Sequence, residues 1–311
     1  MFSIADCGLM LEPQLGMGLS EVLDWARYAE DRGYGFLRRS DHFLPTTASK
    51  TVDSAECWTS LGAVAAETRR IKFGPLVTPV GFRNPVLLAK MACTLGSFSE
   101  GRLELGLGAG WFKEEYEAYG LPFPGFKTRV KQFEEALKII RPLTEGKRTD
   151  FDGTYFHAHT EPSPKLNKRM HLIIGGKNPA VLMAGGGFAD EWNILNPIQE
   201  PFGKLREVFR KSAGERRVWI SQMGSFFLGE DLGELRDHVQ QYMKRFGVAG
   251  DVDSAIKRLL ERGSFCGTVD EFVSIVNRRL EMELERFYFQ LLVPEDKRNA
   301  DLLSDTLKNK F

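Results

Sequence analysis

The stretch HLIIGGKNPAVLMAGGGFADEWNILN, residues 171–196, decides the fold. It opens on an apolar run, 171–175, crosses two glycines and then presents Asn178-Pro179. Asn is a strong helix N-cap, and Pro suits the first helical position because the N–H it lacks has no intrahelical partner there. After the helix so started, Ala189-Asp190 leads into a second apolar run, 191–196. A strand, a helix and a strand in that order form a βαβ unit, whose two strands lie parallel.

Outward from this unit the alternation repeats. Strands are expected at 4–11, 34–39, 71–78, 103–108, 171–175, 191–196, 218–227 and 287–293, the set that a closed (β/α)8 barrel needs. A length of 311 residues suits one such α/β domain with insertions, since a TIM barrel takes roughly 250 residues. A doubly wound open sheet would place a Gly-rich turn after its first strand, and Glu12-Pro13-Gln14 stands there instead. Helices are expected at 20–32, with Ser20 as cap and Gly33 as stop, at 85–95, and at 130–143 ending near Gly146. Asp152-Gly153 signals a hairpin turn, so two short strands around 151–156 are inserted before residue 171. Helices 232–246 and 252–262 share one connection; Cys266-Gly267-Thr268 leads, with Thr268 as cap, into a helix at 269–280; residues 299–311 form a tail helix.

Composition narrows the function classes. Hydrophobic residues are 42% and charged residues 27%, enough for a sizeable core. Lys plus Arg equals Asp plus Glu at 42 each, so no overall field draws the chain to nucleic acid or an anionic membrane. No apolar stretch approaches the ~20 residues of a span, and Asp6 within the first apolar run, without a basic leader, argues against a signal peptide. Cys7, Cys57, Cys93 and Cys266 are scattered, and of five histidines only His157 and His159 lie close together. No metal site and a reducing, cytoplasmic setting are expected.

In a barrel the chemistry sits where strands end at the C-terminal face. The second strand ends Ser40-Asp41-His42-Phe43, where an imidazole could exchange a proton near neutral pH, or where Asp41 could simply cap the next segment. The fourth runs Gly106-Leu107-Gly108-Ala109-Gly110-Trp111. Alternate glycines admit either a planar ring or a tightly packed neighbour, and Trp111 could wall a substrate pocket. The fifth ends Gly175-Gly176-Lys177-Asn178: exposed amides, a helix N-terminus and one Lys suit a phosphate, though an ordinary capped helix reads the same way. Arg38-Arg39 sends consecutive side chains to opposite faces, so one Arg looks into the interior; pairing with a neighbouring carboxylate is expected over holding an acidic substrate.

Taken in order, Ser-Asp-His-Phe at 40–43, Val-Thr-Pro followed by Arg83-Asn84-Pro85, the run 101–111, and Gly175-Gly176 followed by Ala189-Asp190 resemble the luciferase-like oxidoreductase superfamily. That group includes bacterial luciferase, FMN-dependent monooxygenases and oxidoreductases using the deazaflavin coenzyme F-420. The resemblance implies that Asp41 contacts the ring system and His42 lies by its reactive carbon. It implies that Thr78, Ala109 and Gly110 hold the ring and ribityl chain, and that Gly175, Gly176, Lys177, Asn178 and Ala180 grip the phosphate. It also implies a non-prolyl cis peptide within 74–78 and a homodimer. The chain departs from the family's sugar-phosphate dehydrogenases, with Thr46 and Trp111 where those have Trp and Glu, and Glu114 where they have Asn. The expected function is hydride transfer between coenzyme F-420 and a small organic substrate, with His42 moving the proton. The alternatives are an FMN-dependent monooxygenase using reduced flavin and oxygen, and a non-catalytic flavin-binding protein.

Overall fold

The computed structural model describes residues 2–45, 52–197 and 199–311. In chain order the elements are β1 (Cys7–Leu11), α1 (Leu19–Arg32), β2 (Phe36–Arg39), α2 (Cys57–Glu67), β3 (Lys72–Pro75), β4 (Thr78–Pro79), α3 (Pro85–Phe98), β5 (Leu105–Gly108), α4 (Lys113–Ala118) and α5 (Phe126–Thr144). There follow β6 (Thr149–Asp152), β7 (His157–Thr160), β8 (Leu172–Gly175), α6 (Pro179–Gly186), β9 (Glu191–Leu195), α7 (Gln199–Ala213) and β10 (Trp219–Gly229). The chain closes with α8 (Leu232–Phe246), α9 (Val252–Glu261), β11 (Phe265–Thr268), α10 (Val269–Glu281), β12 (Arg286–Leu291) and α11 (Lys297–Lys310).

The main sheet runs β3-β2-β1-β12-β10-β9-β8-β5-β4 with every pairing parallel. β3 and β4 are the halves of the third expected strand, divided at Leu76-Val77, whose peptide bond is cis. The first half pairs with β2 and the second with β5, so the ring closes through this strand into a (β/α)8 TIM barrel. Strands sandwiched between helices and a filled interior are apolar on both faces, which is why all five residues of β1 are buried and why the runs could be read without alternation.

Some expectations need correction. Gly18, not Ser20, caps α1, because the Glu21 carboxylate folds back onto the Gly18 amide at 2.7 Å. Gly33 ends that helix as expected, with φ 85°. Residues 265–268 form a strand rather than a lead-in: β10 outruns the barrel, and β11 covers its last residues, Phe226 to Gly229. The hairpin is longer than expected, β6 pairing antiparallel with β7. α11 docks by burying Leu303 and Leu307, while the Asn299 side chain accepts the Leu228 amide at 3.0 Å. Among the described residues no helix is long and apolar enough to cross a membrane.

At the N-terminal ends of the strands the barrel is filled by charge. Arg38 points inward, ion-pairs with Glu104 and donates to the Tyr288 hydroxyl at 3.1 Å. That hydroxyl donates to Glu191 at 2.8 Å, and Glu191 also meets Arg286 at 2.6 Å and His171 at 3.0 Å. Lys72 reaches Glu104 at 3.2 Å. Arg39 points the other way, onto Ser60 Oγ at 2.5 Å and the Ala55 carbonyl. The pair thus behaves as strand alternation requires, and Arg38 takes the carboxylate partner expected for an inward arginine. Glu104, His171 and Glu191 hold ligand-type atoms within 4.8 Å of one another. The Arg286 guanidinium lies against both carboxylates, 2.6 Å from Glu191 and 3.5 Å from Glu104, so their charge is already matched by protein cations. Interleaved with these charges, Met10, Phe36, Leu76, Ile173 and Tyr288 pack as a small apolar plug inside the barrel, with Phe36 level with Lys72 and Met10 level with Arg38.

Candidate active site

A cavity of about 780 Å³ opens over that plug, among the C-terminal ends of the strands, with Met10 and Leu76 of the plug as part of its lining. His42 stands on its wall just beyond β2. Its Nδ1 lies 2.9 Å and 3.2 Å from the two carboxylate oxygens of Glu115, a residue of α4 that is 1% exposed. One of those oxygens also accepts the Phe43 amide at 3.0 Å, locking the start of the loop to the helix. The ring edges of Trp111 and Phe112, centred 5.8 Å and 6.2 Å away, close around the imidazole. Burial opposes the charged imidazolium, but the hydrogen bond and charge of Glu115, with Glu12 and Asp41 farther off, outweigh it and raise the His42 pKa.

Asp41 lines the same cavity, yet its carboxylate is engaged elsewhere. It accepts Thr78 Oγ1 at 2.8 Å and Arg83 at 2.7 Å, and Arg83 in turn holds Glu56 at 2.6 Å. Thr78 also accepts the Trp58 indole N–H at 3.2 Å. Thr78 is fully buried and does not face the cavity, which its neighbours Val77 and Pro79 do. Successive strand residues point to opposite sides, so the residue expected to touch a ring instead braces Asp41 from behind.

At the end of β8 the chain turns through Gly176 at φ 141°, a conformation L side chains rarely adopt. The Trp192 indole donates to the Gly176 carbonyl at 2.8 Å and pins the turn. Gly175 could not carry a Cβ without crowding Val77 at 3.1 Å. The Asn178 side chain caps α6 through the Ala180 amide at 2.9 Å. Ala180 therefore points its N–H at the cap, and it lies outside the cavity that Gly175, Gly176, Lys177 and Asn178 line. The Gly176 amide makes only a long 3.4 Å bond to the Asn193 carbonyl. Partial burial pulls the Lys177 pKa down. In the glycine run, Gly108, Ala109 and Gly110 all line the cavity, and close packing accounts for both glycines: a Cβ would sit 2.7 Å from Val77 Cγ2 at Gly108 and closer still to the Tyr116 hydroxyl at Gly110. Trp111 stands at its rim, 64% exposed.

Residues the sequence reading passed over complete the floor. Ser40 donates to Gln14 at 2.6 Å, Gln14 to Glu12 at 2.6 Å, and Gln290 to the other Glu12 oxygen at 2.5 Å. Glu12 follows the end of β1 much as Asp41 follows that of β2, so the strand-end signal marks it as well. Glu115 carries no sequence signal, because a helix of six residues is too short to show which face is buried; its neighbour Glu114, which stands where the family's sugar-phosphate dehydrogenases have Asn, is exposed. Thr46 lies outside the described residues.

A closed barrel with a lined cavity at its C-terminal mouth and a carboxylate-backed imidazole in the wall defines a barrel enzyme. The chain belongs to the luciferase-like monooxygenase family, whose model matches residues 3–286. It is 31% identical over 283 residues to a Gordonia bronchialis protein named F-420-dependent glucose-6-phosphate dehydrogenase, a match covering 77% of this chain and 82% of that one. It spans about half the length of further curated relatives carrying that name. Its fold is that of the coenzyme F-420-dependent tetrahydromethanopterin reductase of Methanopyrus kandleri, with TM-score 0.78, 18% identity and 98% of each chain covered. The oxygenating constituent of 3,6-diketocamphane monooxygenase from Pseudomonas putida, solved with FMN, matches with TM-score 0.75 at 19% identity, covering 99% of this chain and 97% of that one.

Proposed function

We propose that this enzyme transfers a hydride between coenzyme F-420 and a small, uncharged organic substrate, with His42 moving the proton. The observation that carries the reading is one cavity holding both a glycine cradle at the end of β8 and the Glu115-backed imidazole of His42. The residues fit the cofactor. A volume of about 780 Å³ is that of a ligand site for a tricyclic ring with its side chain. Gly175, Gly176, Lys177 and Asn178 would hold the phosphate, and Ala109, Gly110 and Trp111 would border the ring. When bound, the deazaflavin supplies the carbon that gives or takes the hydride. His42 gives or takes the proton at Nε2, the nitrogen not turned to Glu115. Apolar lining such as Met223 and Leu292 suits a neutral substrate. Glucose 6-phosphate is not carried over from the relatives' names, because Trp111 occupies the place of an acid.

The second reading, an FMN-dependent monooxygenase, is favoured by the likeness to the Pseudomonas putida protein and by a cradle that serves either phosphate. Fluorescence titration of the purified protein with each cofactor separates them: F-420 binds more tightly than FMN. Tighter FMN binding would move the enzyme to the monooxygenase branch, and binding of neither would remove the cofactor site. Gly176→Val weakens cofactor binding by about 1–3 kcal/mol, through strain at the positive φ and the loss of close backbone approach. Unchanged affinity in a folded variant would take the cradle out of the site.

A further inference from the structure

We infer that Glu115 is a positioning residue that fixes His42 as its Nδ1–H tautomer, leaving the Nε2 lone pair in the cavity as proton acceptor. The inference rests on the reading of His42 as the proton-transfer group and adds what makes it a base. Both Glu115 oxygens lie within hydrogen-bond distance of Nδ1, at 2.9 Å and 3.2 Å, and a buried carboxylate can only accept. The neutral ring must therefore carry its proton on Nδ1. Among the described residues the charged groups acting on the ring are Glu115 from α4, Glu12 beyond β1, and its own neighbour Asp41, which Arg83 neutralises; the aromatic rings beside it, Trp111 and Phe112, carry no charge. Glu115 is the sole carboxylate among them that hydrogen-bonds the imidazole.

A purely architectural Glu115 would serve only to tie Phe43 to α4 through the 3.0 Å amide bond. Glu115→Gln separates the two roles. The Gln carbonyl can still accept the Phe43 N–H in place of Oε2, which puts its NH₂ in place of Oε1, the oxygen nearer Nδ1 at 2.9 Å, where it demands an acceptor. The proton then moves to Nε2, and the cavity meets a donor instead of a base. The comparable loss of the orienting carboxylate in a Ser-His-Asp triad acts in this way, by the wrong tautomer.

The test reads the imidazole nitrogens directly, by ¹⁵N NMR of histidine-labelled protein without cofactor. The wild type shows Nδ1 protonated and Nε2 unprotonated above the His42 midpoint; Glu115→Gln reverses the two and moves the midpoint to lower pH. In turnover Glu115→Gln lowers kcat by about 10²- to 10⁴-fold and shifts the ionisation limb of the pH–rate profile to lower pH, whichever direction of hydride transfer is followed. Glu115→Asp, which keeps the charge, restores the wild-type tautomer and part of the rate. A wild-type Nε2–H tautomer overturns the inference, and needs no folded variant to be seen; so does a Glu115→Gln protein with unchanged nitrogens and midpoint. If instead the tautomer reverses but His42→Ala turns over normally, the positioning stands and the role of His42 is what fails.

Discussion

His42→Ala lowers the single-turnover rate of hydride transfer by about 10²- to 10⁴-fold in enzyme saturated with cofactor, the range for removal of a positioned acid or base. Cofactor affinity changes far less, because the cradle at Gly175 to Asn178 belongs to β8 and α6, separated from β2 around the ring by β5 and the divided third strand. Stability falls modestly. The substitution leaves Glu115 buried, but its carboxylate keeps the Phe43 amide. The raised pKa fixes two pH signs. The neutral base emerges only above the folded value, so a reaction that needs it slows as pH drops through that value. The stabilisation that the His42–Glu115 pair gives the fold runs the other way: it is complete below the unfolded histidine pKa, about 6.5, and fades as pH rises through the folded one. Equal single-turnover rates in wild type and variant would assign the proton to another group, with Glu12 the next candidate on the cavity floor.

The barrel was legible because parallel strands buried on both faces are written as short apolar runs, and the 171–196 unit carries its own punctuation in Gly175-Gly176 and Asn178-Pro179. What stayed hidden was set by tertiary packing. No local pattern says that the run 71–78 divides at Leu76-Val77, so that one half pairs with β2 and the other with β5. β11 is four residues long and exists because β10 overshoots the barrel, a length mismatch visible only once both are placed. The site followed the same rule at finer grain. Strand ends located the cavity, but facing is decided residue by residue: Val77 and Pro79 look in and Thr78 looks out, just as Asn178 and Val181 of the α6 start look in and Ala180 does not. A motif aligned by resemblance marks a turn of chain, while which way each residue faces differs between neighbours within it. The carboxylate that reaches His42 comes from Glu115, a residue that no strand end marks.

The charged floor of the barrel bears the other large effect: Glu191→Ala destabilises the fold by about 3–5 kcal/mol, as expected when one member of a buried ion network is removed. Glu191 has no exposed surface and is the meeting point of Arg286, His171 and Tyr288. Taking it away leaves Arg286 facing Glu104 at 3.5 Å as its remaining buried carboxylate, while Glu104 is already shared with Arg38 and Lys72. Against a total stability of roughly 5–15 kcal/mol for a domain, that is a large fraction. Burial alone would raise the Glu191 pKa, but the His171 hydrogen bond and the charges of Arg286, His171 and Arg38 hold it far below the usual carboxylate range. A depressed folded pKa means the stabilisation is complete above the unfolded value, about 4.3, and is lost progressively as pH falls below it. Wild-type stability therefore declines steeply in acid, and Glu191→Ala flattens that decline as well as lowering the neutral plateau. Glu191, Arg286, His171, Glu104 and Arg38 do not line the cavity, so a folded Glu191→Ala enzyme retains cofactor affinity within a few-fold. Urea unfolding from neutral to acid pH measures both consequences. A loss below about 1 kcal/mol at neutral pH would mean that the arginines find other partners or water, and that the floor is a tolerance of the barrel for charge and not a source of its stability.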